Sequence, residues 1–171
     1  MARKRMLSPE FFSSAPVNRL PIPAAMTFAG LWCYLDDFGR GEDDAALVKA
    51  VVWPRRRAQS EAKVARDLDL IVAENLLCRY VTPVIHSQEL VKIPSRDHAE
   101  RLIHSPSWSE HQKISHPTPS KFMPCPIHET DLHDAYLREC KRFPERLANG
   151  SRPPPELIRN RSRAAPPRAR V

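Results

Sequence analysis

The feature that most constrains this chain is an apolar stripe that stops abruptly. In the stretch AMTFAGLWCYLDDFGRG, residues 25–41, the side chains Phe28, Leu31, Trp32 and Leu35 recur at i, i+3, i+4 and i+7. That spacing predicts four large apolar groups on one helix face, and such a face needs a core to pack into. Asp36 and Asp37 then end the pattern, and Gly39 can take the positive φ that closes a helix C-terminus. Adjacent residues on a helix point about 100° apart, so the two acids cannot form a facing pair. They read as shaping the helix end and pairing with Arg40. The chain beyond Gly41 must fold back over the stripe.

The next segments have the patterns to do so. Pro23 suits the first turn of the first helix, where its missing N–H would be unpaired anyway. Asp43 or Asp44 is the N-cap of a second helix carrying Leu47, Val48, Val51 and Val52 and ended by Pro54, with Trp53 closing one end of the core. After the connection RRRAQ, Ser60 caps a third helix over 61–75. Val64, Leu68, Ile71 and Val72 fall on its inner face, opposite Lys63, Arg66 and Asp67. The predicted core is therefore Phe28, Leu31, Trp32, Leu35, Leu47, Val51, Val64, Leu68 and Ile71. The runs LLCRYVTPVI and ELVKIP, separated by His86, Ser87 and Gln88, read as a β-hairpin, with Pro83 confined to a solvent-facing edge. Helix, helix, helix, hairpin is the order of a winged helix-turn-helix, mainly α with a small β-hairpin, in which the third helix enters the major groove and the hairpin is the wing.

Eighteen prolines against four glycines, with the prolines crowded late, put the packed part early. Residues 1–22 read as an N-terminal arm: Pro9, Pro16 and Pro21 argue against regular helix, and Phe11 and Phe12 pin the arm to the domain. The winged helix-turn-helix domain spans 23–94. Residues 95–126 form an irregular extension anchored by Trp108, with 95–104 able to make a short helix through Ala99, Leu102 and Ile103. Residues 127–149 hold a short helix limited by Pro144, and 150–171 are a disordered tail rich in proline and arginine.

Charge is divided in the same way. Residues 1–140 hold 18 Lys+Arg and 18 Asp+Glu, whereas 141–171 hold nine and two, which supplies the whole net charge of +7. No apolar run approaches the roughly 18 residues a membrane span needs. The basic start lacks the apolar stretch of a signal peptide behind it, which predicts a cytoplasmic protein without a membrane partner. Cys33, Cys78, Cys125 and Cys140 are scattered and suggest no disulfide framework.

Taken together, FAGLWCYLDDFGRG, a Pro-terminated helix, a further helix, a strand ending in LVKIP and the string WSEHQKISHPTPSK resemble the N-terminal module of phage and prophage replisome organisers. These are DnaD-like replication-initiation proteins of actinobacterial phages. The likeness runs over about residues 1–126. It implies a winged-helix fold and a non-enzymatic role in the bacterial host cytoplasm, binding double-stranded DNA at an origin or helping to load a replicative helicase, with no cofactor.

Arg55, Arg56 and Arg57, just before the third helix, with Ser60, Lys63 and Arg66 on it, are the leading DNA-facing residues, because guanidinium groups beside a helix N-terminus can each neutralise a phosphate. Arg79 and Lys92 on the hairpin could reach the neighbouring backbone. Arg152, Arg159, Arg161, Arg163, Arg168 and Arg170 of the tail would add salt-sensitive affinity with little sequence choice. Cys125, His128, His133 and Cys140 form a weaker metal-ligand set: Cys-x2-His is a workable first pair, but the later gaps match no familiar finger. Phosphate-loop and nucleophile-elbow motifs are absent from the sequence. Three further readings stay open: a winged-helix protein-interaction module, a transcriptional regulator, and a metal-dependent His/Cys nuclease.

Overall fold

The prolines of the N-terminal arm start helical turns instead of preventing them. In the computed structural model, which describes residues 4–82 and 101–142, α1 (Glu10–Ser13) comes directly after Pro9, and α2 (Ala15–Arg19) carries Pro16 in its first turn. The expectation of a helix-free arm is corrected on this point, since proline lacks only an N–H that the first turn leaves unpaired. Phe11 pins the arm as anticipated, stacking on Phe28 at 5.9 Å and meeting Trp32 edge-on at 5.8 Å. Phe12 is exposed.

Helix α3 (Ile22–Tyr34) carries the apolar stripe, with Pro23 in its first turn. Phe28, Leu31 and Trp32 are buried from it, and Leu35, one residue past its end, is buried completely. The next element is a three-residue strand, β1 (Arg40–Glu42). Helix α4 (Ala45–Val52) is capped by Asp44, whose Oδ1 accepts from the N–H groups of Ala46 (2.7 Å) and Leu47 (3.1 Å). Helix α5 (Glu61–Ala73) is capped by Ser60, whose Oγ accepts from Lys63 N. Its C-terminus is closed by Asn75 at φ +57°, with Asn75 N bonded to Val72 O and Leu76 N to Ile71 O. Asparagine tolerates this left-handed position better than other non-glycine residues.

Helices α3, α4 and α5 enclose one core. Leu31, Val48, Val64, Leu68 and Ile71 are fully buried, each side chain contributing about 1.5–3 kcal/mol relative to exposure. Gly30 lets α4 come close: a Cβ there would lie 2.3 Å from Val52 Cγ1. Two of the predicted core residues are corrected. The inward side of α4 is narrow and centred on Val48, so Leu47 is 42% exposed and Val51 only half-buried. Asp67, expected on the outer side of α5, is buried instead, because it stands three residues from Val64 and four from Ile71 on the inward stripe.

The sheet departs most from expectation. Strand β2 (Cys78–Val81) lies within the first predicted hairpin run, but its described partner is β3 (Arg101–His104), which also pairs with β1, giving the antiparallel order β1-β3-β2. Residues 101–104 are thus strand, not the end of a short helix. Ile103 packs into the helical core while Leu102 is buried on the other side with Tyr80 and Cys125. A strand covered on both faces reads as a continuous apolar run, which periodicity cannot tell from helix. ELVKIP and Pro83 lie outside the described residues, as does the tail. The last elements are the short α6 (Trp108–His111) and α7 (Thr130–Arg142), the latter within the predicted helical segment. Among the described residues no helix is long and apolar enough to cross a membrane.

Candidate functional site

Two regions carry chemistry. The first is the turn between α4 and α5. Arg55, Arg56 and Arg57 are exposed there, and together with Arg66 on α5 they form no ion pair with a described residue. Lys63 is exposed as well, its Nζ donating to the Ala58 carbonyl at 2.8 Å. Ser60 is engaged as the helix cap. Glu61 and Asp69 share the exposed surface of α5, so that surface is mixed in charge. Arg79 is placed differently: its guanidinium pairs with Asp43 (3.1 Å) and Asp69 (2.5 Å), tying β2 to α5 and to the residue before the α4 cap. Asp43 also receives Arg101 at 2.9 Å. Lys92 and the tail arginines lie outside the described residues.

Beneath the turn, Asp67 Oδ2 accepts from Thr27 Oγ1 (2.7 Å) and Gln59 Nε2 (2.8 Å), and Trp53 Nε1 donates to Thr27 Oγ1 (2.9 Å). Burial pushes the Asp67 carboxyl above its usual range against these hydrogen bonds. The network holds the connection to the α3 and α5 helices from inside, which leaves its arginines to project from a fixed base.

The second region lies on the side of the sheet away from the helical core. Register places Arg40, His104 and Cys78 in one row across β1, β3 and β2, and directly opposed residues share a face. The turn at residues 125–129 lies over this row, residue against residue. Glu129 takes Arg40 in a bidentate pair (2.7 and 2.8 Å), the His128 ring stands 5.9 Å from that of His104, and Cys125 Sγ is 3.9 Å from Cys78 Sγ and 3.6 Å from His128 Nδ1. Arg40 and Glu129 are both buried, and Glu129 also accepts from Cys125 N at 3.0 Å. Burial would raise the Glu129 carboxyl, but the Arg40 hydrogen bonds and charge outweigh it and hold the group below its usual range. Burial pulls the His104 imidazole down to about 4; Glu129 opposes this, while Arg40 and His128 add to it. Burial and the neighbouring Cys125 push the Cys78 thiol up to about 11.

Of the four metal candidates read from sequence, the structure brings together Cys125 and His128 and adds Cys78. His133 turns away, its Nδ1 donating to the Pro124 carbonyl at 2.8 Å, and the side chain of Cys140 lies outside the described residues. The expected pairing of Arg40 with Asp36 and Asp37 is likewise corrected. Asp36 Oδ1 accepts from Phe38 N (2.8 Å) and Arg40 N (3.0 Å), its other oxygen accepts from Ser120 Oγ, and Asp37 pairs with Arg5 at 2.5 Å and accepts from Thr118 N at 2.7 Å.

These last contacts join the two most distinctive strings of the sequence. Trp108 covers Gly39 and donates its Nε1 to Asp37 O (2.9 Å); His111 stacks on Trp32 at 6.1 Å. Within GLWCYLDDFGRG and WSEHQKISHPTPSK, these residues hold each other. Comparison with family models, with curated proteins and with solved structures yields no match to this chain.

Proposed function

We propose that this chain is a winged-helix protein that binds double-stranded DNA, with α5 as the reading helix and residues 55–57 on phosphate, and that it acts in phage or prophage replication initiation. The observation that carries the DNA reading is the exposed Arg55, Arg56 and Arg57 in the turn before α5, free of ion pairs with described residues, in a connection that Gln59 ties to the buried Asp67. Helix N-termini add backbone donors and a favourable dipole for phosphate at that place. The connectivity supports the fold assignment: a winged helix also inserts a strand between its first and second helices and pairs it with the hairpin beyond the third. The replication role, and a replicative helicase or its loader as protein partner, rest on the resemblance of the two strings above.

The test is fluorescence anisotropy of the full chain on a generic duplex, titrated with salt. Binding releases about 0.9 counterions per phosphate neutralised, so changing Arg55, Arg56 and Arg57 together to Ala should weaken binding and flatten the log–log slope by up to about 2.7. Unchanged affinity and slope would remove residues 55–57 from the interface. The mixed charge of α5 favours one other reading, a protein-docking surface, and that reading gains if the triple variant binds DNA as the wild type does but loses a co-purifying helicase or loader.

A further inference from the structure

We infer that Cys78, His104, Cys125 and His128 form a tetrahedral zinc site that fastens the turn at residues 125–129 to the sheet. Three of the four donor groups already lie together. Cys78 Sγ and Cys125 Sγ are 3.9 Å apart, Cys125 Sγ and His128 Nδ1 are 3.6 Å apart, and one donor atom from each of the three residues lies within 4.8 Å of the others. With Zn–S about 2.3 Å and Zn–N about 2.0–2.1 Å, a tetrahedral ion spans S to S about 3.8 Å and S to N about 3.5 Å. The two edges that meet at Cys125 Sγ are thus close in length to edges of that tetrahedron.

The fourth donor is assigned to His104, which lies opposite Cys78 in the β2–β3 register with its ring centroid 5.9 Å from that of His128. It is 3% exposed, and its Nδ1 is buried with no hydrogen-bond partner among the described residues. A buried, unpaired ring nitrogen is costly unless something binds it. The other nitrogen, Nε2, faces Glu129 Oε2 at 3.8 Å, and Glu129 is held by Arg40. A ligating histidine commonly offers one nitrogen to the metal while a carboxylate orients it from the other side, and Glu129 occupies that position. Two thiolates and two imidazoles favour zinc among the common divalent ions, and four protein ligands make a closed, structural centre with no open position for substrate. Binding would displace the thiol protons.

The experiment is metal analysis of the full chain purified without chelator. One zinc per chain is expected, lost in Cys78→Ser and in Cys125→Ser and retained in Cys33→Ser, whose thiol sits on α3. If the serine variants do not fold, cobalt titration of the wild-type chain decides: a two-thiolate charge-transfer band with the intense d–d bands of tetrahedral cobalt is expected, and His104→Gln should weaken cobalt binding at least tenfold. The inference is overturned if the folded wild-type chain holds neither zinc nor cobalt, if Cys33→Ser loses metal as the other two do, or if Cys78 and Cys125 prove to be joined as a disulfide. A His104→Gln variant with wild-type affinity and spectrum would overturn the fourth ligand.

Discussion

Gly39 meets two demands that no other residue can satisfy together. Its φ of +73° lies in the left-handed region, and a Cβ there would stand 2.6–2.8 Å from Trp108 ring and Cβ atoms. The left-handed conformation costs an L-residue roughly 1–2 kcal/mol, and overpacking a filled site typically costs about 1–3 kcal/mol. Gly39→Ala should therefore lose about 2–4 kcal/mol of stability in urea unfolding; a loss below about 1 kcal/mol would mean that Trp108 does not seal this turn. The first demand, the positive φ, is legible in sequence but its use is corrected: α3 ends at Tyr34 with an extended Leu35, and Gly39 closes the turn from Asp36 into β1 instead of the helix C-terminus. The second is not, since Trp108 lies 69 positions further on. Asp67 shows the reverse case: its spacing from Val64 and Ile71 placed it on the inward stripe, but a charged residue in that place reads as exposed until its partners Thr27 and Gln59 are seen.

At the scale of elements, the joint between β1 and the turn before α7 rests on Arg40 and Glu129. Breaking a buried pair leaves an uncompensated charge, which costs about 3–5 kcal/mol, whereas removing both partners avoids most of that penalty. Arg40→Met and Glu129→Leu should each lose stability on that scale. The double variant should fall short of their sum by about 1–3 kcal/mol in a double-mutant cycle. Additivity within about 0.5 kcal/mol would show that the two groups are not coupled. Helices α3, α4 and α5 were readable because each has an amphipathic stripe and, for α4 and α5, a side-chain cap. Strand β1 was not, being three residues, Arg-Gly-Glu, with no apolar alternation. The Cys78–His104 half of the proposed metal set was hidden for a related reason. These two residues meet through strand register across 26 positions, and ligand spacing in sequence reports only pairs made within one turn, such as Cys125 and His128.

For the whole molecule, the balance of 18 basic and 18 acidic residues over 1–140 means that any DNA affinity of the body comes from local placement, while the net +7 belongs to the remainder. Changing Arg152, Arg159, Arg161, Arg163, Arg168 and Arg170 to Ser should reduce the salt slope of duplex binding by up to about 5 without altering any preference among sequences. An unchanged slope would assign the tail another use. The two contributions are separable because one is fixed on the α4–α5 turn and the other is a property of composition. The strand order carries a further consequence, for the growing chain. Strand β3 is the only partner of both β1 and β2 among the described residues, and Arg101 is made 59 positions after Glu42. At roughly 5–20 residues per second, a ribosome makes the described partner of β1 about 3–12 seconds after β1 itself. By the end of that interval the nascent chain can assemble α3, α4 and α5, so a product stalled before residue 101 would lack the strand on which β1 and β2 both pair and would expose the edges that β3 covers in the finished fold.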